Sequence, residues 1–455
     1  MQKNDFFTNL TLWLGTVFTN KLGIDLTFIY ENNSFTAQNK SHNLRLVFPE
    51  IDKAYYTSGH ELGCLFYDVT KHTGVSIFEE QNLPVPSSAK TPLSDIKFLG
   101  LEVSFPFDFA GLVFWALGRV EEVDNNSRDQ HDRFPAASSH AFKYKYLNRP
   151  FIDEWFCFLS FLLKNNVNNY NPPHREYELC ISHDVDRPMR YAFAPIFQAS
   201  KSLVADIFKR KKFHALKELI LSKILSSSKL YEYDSFNTFD WICQLAYVNG
   251  AVNTFYFICG KTSDKDSDYS IKHPAIKSLI KELHSKGHKI GLHPSYNTYL
   301  DEAAFSKELS SLKEVLNELD IDSEVIESRM HFLRWRTPET FDILSNLGIY
   351  SDSTMGYAEY PGFKAGTCFE YQAVHPNTGK SLDIIIKPLI LMEASLLAER
   401  YLGIKNENEA RIFIDDLKTK CQRVGGQFRV LWHNSELFTS QQRRLYEFLV
   451  LGDKK

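Results

Sequence analysis

The chain has 455 residues, 44% hydrophobic and 24% charged, which is enough apolar material for two domains with cores of their own and too much for a disordered polymer. A formal net charge of −4 and an isoelectric point near 6.4 exclude a whole-molecule electrostatic footprint for nucleic acid, so an anionic partner would have to meet a local patch. Aromatic residues make up 14%, which suits sugar-lined clefts and packed cores alike.

In chain order, Met1-Gln-Lys-Asn-Asp-Phe-Phe7 lacks the basic, apolar and small-residue regions of a secretory signal, and no later window is long and uncharged enough for a transmembrane helix. A cytoplasmic protein is expected. The seven cysteines are scattered, odd in number and without a CxxC pair, so they read as reduced core residues and not as a zinc–thiolate site. Short strand-like runs such as Leu44-Arg-Leu-Val-Phe48 lead to an apolar helix over 107–120, a charged loop over 121–133, and a second apolar helix within 146–163 that starts near Pro150. The amide-rich segment 164–173, closed by Pro172-Pro173, reads as a linker, dividing the chain into 1–168 and 174–455.

Beyond the linker, helix and strand take turns. After the strand ending at residues 180–186 comes a helical stretch, 197–230, carrying Lys209-Arg-Lys-Lys212. This reads as an inserted helix pair with a solvated face; the alternative is a basic surface for a membrane or an anionic glycan. Helices over 238–247, 274–285, 305–319, 338–346, 407–423 and 440–451 alternate with strands over 254–259, 288–292, 330–333, 349–351, 382–391 and 427–433. Alternation predicts a parallel sheet, and polar residues at every strand end favour a barrel, in which working groups gather at the C-terminal strand ends.

Those ends carry His183, Asp184 and Asp186, then His293, then Arg334 and Arg336, then His433. Successive side chains of an extended chain alternate sides, so Asp184 and Asp186 share a face, and carboxylates that close call for a cation, a proton or a base role. Each residue taken singly has a structural explanation: a helix cap for the aspartates, a satisfied core residue for His293, a strand-end cap for His433. Repetition of one pattern on several strand ends of one array argues for a site.

The ordered set resembles the polysaccharide deacetylase family, metal-dependent carbohydrate N-deacetylases, over roughly residues 174–440. Ser182-His-Asp-Val-Asp-Arg-Pro188 is similar to its first motif, Gly287-His-Lys-Ile-Gly-Leu-His293 to its second, Arg336-Thr-Pro338 to its third, Ser351-Asp-Ser-Thr-Met-Gly356 to the opening of its fourth, and Leu431-Trp-His433 to its fifth. Segments around Val120-Glu-Glu122, Asp132-Arg-Phe-Pro-Ala136 and 147–155 resemble an uncharacterised domain that precedes some bacterial deacetylase-like proteins.

The resemblance implies an α/β fold, a distorted parallel (β/α) barrel behind a smaller α+β N-terminal domain. It implies Asp184 as catalytic base, Arg336 as the arginine orienting it, His433 as general acid, and Asp186 and His293 as metal ligands. The family's second histidine ligand is replaced by Asn297, a harder and weaker donor, with His331 at the next strand end as the alternative. The substrate-facing set is His183, Pro294, Ser295, Tyr296, Arg334 and Asp352, and Asp383 is a stand-in for the acid that tunes His433. The implied cofactor is a divalent metal, zinc first, with cobalt, manganese or iron compatible. The implied activity is removal of an acyl group from an amino sugar or related carbohydrate, with no nucleic-acid partner and an undetermined oligomeric state. The competing expectation is an impaired barrel acting as a glycan-binding or scaffold module, and Asn297 is its main support.

Overall fold

In the computed structural model, residues 3–73, 78, 80–208 and 211–452 are described; positions 209 and 210 of the basic run lie outside them. The C-terminal part carries nine strands: β1 (Glu178–Val185), β2 (Thr254–Ile258), β3 (Lys289–His293), β4 (Glu327–Ser328), β5 (Ser351–Asp352), β6 (Tyr371–Val374), β7 (Ser381–Ile386), β8 (Leu391–Met392) and β9 (Gln427–Leu431). They form one sheet in the order β6-β7-β5-β4-β3-β2-β1-β9-β8. All neighbours are parallel except the β6–β7 hairpin. The alternation of helix and strand produces this topology because parallel neighbours need crossovers, and the apolar run of β2, Thr-Phe-Tyr-Phe-Ile, is buried over its last four residues as such a sheet requires.

The curled sheet ends at β6 on one side and β8 on the other without pairing between them, so the expected closed barrel is an open half-barrel. At the β6 edge the N-terminal part takes over. The helix Lys3–Leu22 packs on the β6–β7 hairpin, with Trp13 Nε1 donating to the Gln372 carbonyl (2.8 Å) and Asn9 Nδ2 to that of Thr378 (3.1 Å). This N-terminal part is itself α+β: a five-stranded sheet built from strands within 27–104, a hairpin pairing Gly63–Asp68 with Asn82–Ser87, and the helices Phe109–Leu117 and Phe151–Asn166. One contiguous apolar core runs from Phe7 through both parts to Val450.

Most predicted elements stand within a few residues of their expected bounds, because strong terminators set them. Helix Glu407–Val424 stops at Gly425, which adopts a left-handed conformation (φ 66°) before β9 begins. There are two exceptions: the run expected as one strand over 382–391 is split into β7 and β8 on opposite sides of the sheet, and the strand expected over 330–333 does not form. The ladder ends at Ser328, and His331–Leu333 is a tight turn with Phe332 (φ 62°) and Leu333 (φ 53°) left-handed. Backbone groups there are taken by other loops: Met330 N–H donates to Thr354 Oγ1 (2.9 Å), His331 N–H to the Pro294 carbonyl (3.1 Å), and Phe332 O accepts from Arg133 Nη1 (2.8 Å).

Candidate metal centre and active site

Asp186 follows β1 directly, His293 is the last residue of β3, and His331 stands on the turn three residues past β4. The sheet therefore delivers all three from C-terminal strand ends, and one ligand atom from each lies within 4.8 Å of the others. His293 Nε2 is 3.2 Å from Asp186 Oδ1, and His331 Nε2 is 3.6 Å from Asp186 Oδ2. The far ring nitrogens are engaged: His293 Nδ1 with the Arg329 carbonyl and His331 Nδ1 with Asp266 Oδ1 at 2.8 Å. A proton on each Nδ1 satisfies those acceptors and leaves each Nε2 lone pair turned toward Asp186, the second-sphere arrangement that orients metal-binding histidines.

Asp186 Oδ1 and His293 Nε2 are buried without a hydrogen-bond partner among the described residues. Two facing acceptors without a donor are complemented by a cation, and a carboxylate with two imidazoles suits zinc, cobalt, manganese or iron. The electrostatics agree. Burial alone would push Asp186 up, but His331 and His293 hold it well below the usual carboxylate range. Burial would likewise lower His331, yet Asp186 and Asp266 push it up to about 9. The cluster demands positive charge beside Asp186, from a proton or a metal.

Asp184 lies on the same face of β1, two residues back, and its Oδ2 is 3.5 Å from His293 Nε2. Its partner is Arg329, one residue past β4. Arg329 Nη1 donates to Asp184 Oδ1 (3.3 Å) and Ser182 Oγ (2.8 Å), Nη2 to Ser353 Oγ (2.7 Å) and Nε to the Ser353 carbonyl (3.1 Å), while the guanidinium stacks 4.7 Å from the Tyr256 ring. On the other side His433, two residues past β9, puts Nε2 3.5 Å from Asp186 Oδ2 and Nδ1 2.6 Å from Glu393 Oε1. Burial opposes charge on His433, but the Glu393 carboxylate outweighs it and pushes the imidazole up to about 10. The side chains of Asp186 and His433 are 26% and 17% exposed while those of Asp184, His293, His331 and Arg329 are at most 3%, so access is from the Asp186–His433 side.

Several expectations are corrected. Arg336 does not reach Asp184; its Nη2 binds the Asp132 carboxylate (2.7 and 2.8 Å), because the turn over 331–333 redirects the chain and leaves Arg329 as the arginine beneath Asp184. Asn297 does not join Asp186 and His293. It is exposed, with Nδ2 donating to the Thr262 carbonyl (2.9 Å) and Oδ1 accepting from Arg334 Nη1 (3.1 Å). The alternative, His331, is the residue brought to the cluster.

His183 points to the opposite face of β1 from Asp184, fully buried, with Nδ1 2.6 Å from the Trp432 carbonyl and Nε2 3.2 Å from Tyr446 Oη. Asp352 is wholly buried under Ser328 Oγ (2.7 Å) and the Thr354 N–H (2.8 Å), where desolvation pushes it up to about 6; neither residue is open to a substrate.

Pro294, Ser295, Tyr296 and Arg334 form a wall where the two parts of the chain meet. Ser295 N–H donates to Glu308 Oε2 (2.9 Å), Tyr296 Oη meets His131 Nδ1 (3.0 Å), and Arg334 stacks between Tyr296 and Tyr299 (4.0 and 3.9 Å) while donating to the His131 carbonyl (2.7 Å). Asp383 is exposed on β7 and does not serve His433. Glu393 does, and its sequence signal was the same as the others': a polar residue directly after an apolar strand, Leu391-Met-Glu393. Asp266 gave no such signal, since it lies in a polar loop and its role comes from the fold.

Residues 1–168 match the model of a family of unknown function, DUF7033, which bears out the uncharacterised N-terminal domain read from the sequence. No curated protein matches the chain. Similar solved structures include a Mycobacterium smegmatis protein assigned as a polysaccharide deacetylase (14% identity, TM-score 0.37, covering 62% of this chain and 84% of that one). A Pseudomonas aeruginosa PAO1 protein with the same assignment (14%, 0.38, 62% and 87%) and Puue allantoinase (14%, 0.37, 62% and 87%) are similar to the same extent.

Proposed function

We propose that the chain is a metal-dependent hydrolase that removes an acetyl or other acyl group from the nitrogen of an amino sugar or a related carbohydrate. The observation that carries this reading is the convergence of Asp184, Asp186, His293, His331 and His433 at neighbouring C-terminal strand ends, with Arg329 beneath Asp184.

Asp186, His293 and His331 would hold the ion, which supplies Lewis acidity toward the water and amide oxygen it meets. Asp184 is the base. Its Oδ1 is fixed by Arg329 and its Oδ2 faces the cluster, so it can accept the proton of an attacking water. His433, kept protonated through neutral pH by Glu393, faces the same space from the opposite side and can deliver a proton to the departing amine nitrogen, which leaves poorly as an anion. Division of labour follows from environment: a guanidinium aims the Asp184 carboxylate at the cluster, and a carboxylate beside the His433 imidazole favours its acid form.

The non-catalytic alternative rested on Asn297 in place of a histidine. A second imidazole from His331 favours the enzyme. The test is to measure acetate release from acetylated chito-oligosaccharides and acetylated nucleotide sugars by purified protein with added divalent metals, beside Asp184→Asn. Activity that needs metal and is lost in the variant supports the proposal; absence of bound metal and of any acyl hydrolysis refutes it.

A further inference from the structure

The helices Ile196–Phe208 and Ala215–Leu225, which follow β1 at the metal centre, are built inside out. Their buried positions are small or acidic: Ala199 and Asp206 on the first, Ala215, Glu218 and Ser222 on the second. Polar bonds fix that orientation. Asp206 Oδ1 accepts from Arg190 Nη2 (2.5 Å), Glu218 Oε1 from the Ser235 N–H (2.8 Å), and Ser222 Oγ donates to Asp234 Oδ2 (2.8 Å). Rotating either helix to hide its apolar residues would strand those groups.

The outward faces instead carry large hydrophobes at helical spacing. Phe197, Val204 and Phe208 on the first helix are 79%, 55% and 77% exposed, Ile220 and Ile224 on the second are 46% and 64% exposed, and Phe213, in the turn leading into the second, is 87% exposed. Lysines sit inside the same stripes, Lys201 on the first and Lys217 on the second. Between residues 196 and 230 the exposed charged side chains described are lysines alone: Lys201, Lys211, Lys217, Lys223 and Lys229. The molecule as a whole is slightly acidic, so the cationic character is local.

We propose that this helix pair docks on the surface of an anionic lipid bilayer, laying its phenylalanines and aliphatic side chains at the headgroup–acyl boundary. Lysine decides against a dry protein partner: it is depleted at the centres of protein interfaces, whereas in a bilayer its stem lies beside apolar neighbours while the ammonium reaches the phosphate layer. No helix among the described residues is long and apolar enough to cross a membrane, so the contact is peripheral.

The proposal is independent of the hydrolase reading and is tested on the full chain by flotation with phosphatidylglycerol–phosphatidylcholine vesicles against phosphatidylcholine alone. Wild type floats with the anionic vesicles and less so as salt rises. The double variants Phe197→Ser/Phe213→Ser and Lys201→Glu/Lys217→Glu, all at exposed positions, each lose on the order of tenfold or more in partitioning with an unchanged circular dichroism spectrum. Failure of wild type to float, or equal flotation of the variants, overturns the proposal. So does a concentration-dependent dimer, seen by sedimentation without lipid and abolished by the same substitutions, because it would give the face to a second copy of the chain.

Discussion

Arg329 Nη1 stands 3.3 Å from Asp184 Oδ1 at the buried floor of the site, while Arg336, seven residues on, is bound to Asp132 of the N-terminal part. The first pair lies at the centre proposed for the reaction, and the second joins Asp132 to the C-terminal part of the chain. Arg329 serves Ser182, Asp184 and both oxygens of Ser353 through one planar fork, which a lysine ammonium cannot reproduce. Arg329→Lys is therefore expected to lower the acyl-hydrolase kcat by roughly 100-fold. Arg336→Lys leaves kcat within about threefold and costs at most about 1 kcal/mol of stability, its ion pair being part-exposed. Steady-state kinetics and thermal melts of both variants check this; equal losses of kcat would contradict the assignment.

The candidate metal centre separates His331 from Asn297. His331→Ala removes one of the three proposed ligands and is expected to leave substoichiometric metal after dialysis, whereas Asn297→Ala is expected to retain the wild-type content. Asp266→Asn keeps the ligand set but weakens the acceptor that orients His331, and should raise the metal dissociation constant by about 10- to 100-fold. Elemental analysis and competition with a chelating dye read these outcomes without reference to turnover. Loss of metal in Asn297→Ala alone would reverse the reading.

The parts of the fold and site that were legible in the sequence are those set by local chemistry. β1, β3 and β9 are apolar runs stopped by a polar residue, so Asp184, Asp186, His293 and His433 announced themselves. What failed was any inference across a turn that only tertiary contacts dictate. Phe332 and Leu333 are left-handed without being glycines, a conformation no sequence pattern signals, and it decides that Arg329 and not Arg336 faces Asp184. The open sheet was equally invisible, because the edge at β6 is covered by Trp13 and Asn9, more than 350 residues earlier in the chain. His183 was misread for a simpler reason: period-two alternation already placed it opposite Asp184.

A buried charge cluster is one of the links between the two parts. Glu122 Oε1 is 2.9 Å from the Arg119 guanidinium and 3.3 Å from Lys364 Nζ, with all three side chains at most 3% exposed. Burial would raise Glu122, but Lys364 and Arg119 bring it below its ordinary value. Removing the anion leaves Lys364 without its carboxylate in a solvent-free site, while Arg119 keeps only the carboxylate of Glu121 (2.7 Å), so Glu122→Gln is expected to cost about 3 kcal/mol. Urea denaturation measures it, and a loss under about 1 kcal/mol would show the cations find other partners.

Asp108 is expected to set a pH dependence remote from the candidate metal centre. It caps the helix Phe109–Leu117 through the Gly111 N–H (2.8 Å) and accepts from Tyr56 Oη (2.7 Å), fully enclosed. Burial dominates those bonds and, with Asp52 nearby, pushes the carboxyl up to about 7 from an ordinary value near 3.8. Between those limits the native state holds a proton that the unfolded chain has released, so native binds more protons and stability falls as pH rises through the window. The contribution is fully present below about pH 4 and gone above about pH 7, with a slope of at most about 1.4 kcal/mol per pH unit. Asp108→Asn retains a capping oxygen but cannot titrate. Its melting temperature relative to wild type should therefore climb steadily from about pH 4.5 to about pH 7; parallel curves for the two proteins would mean that Asp108 is ionised throughout.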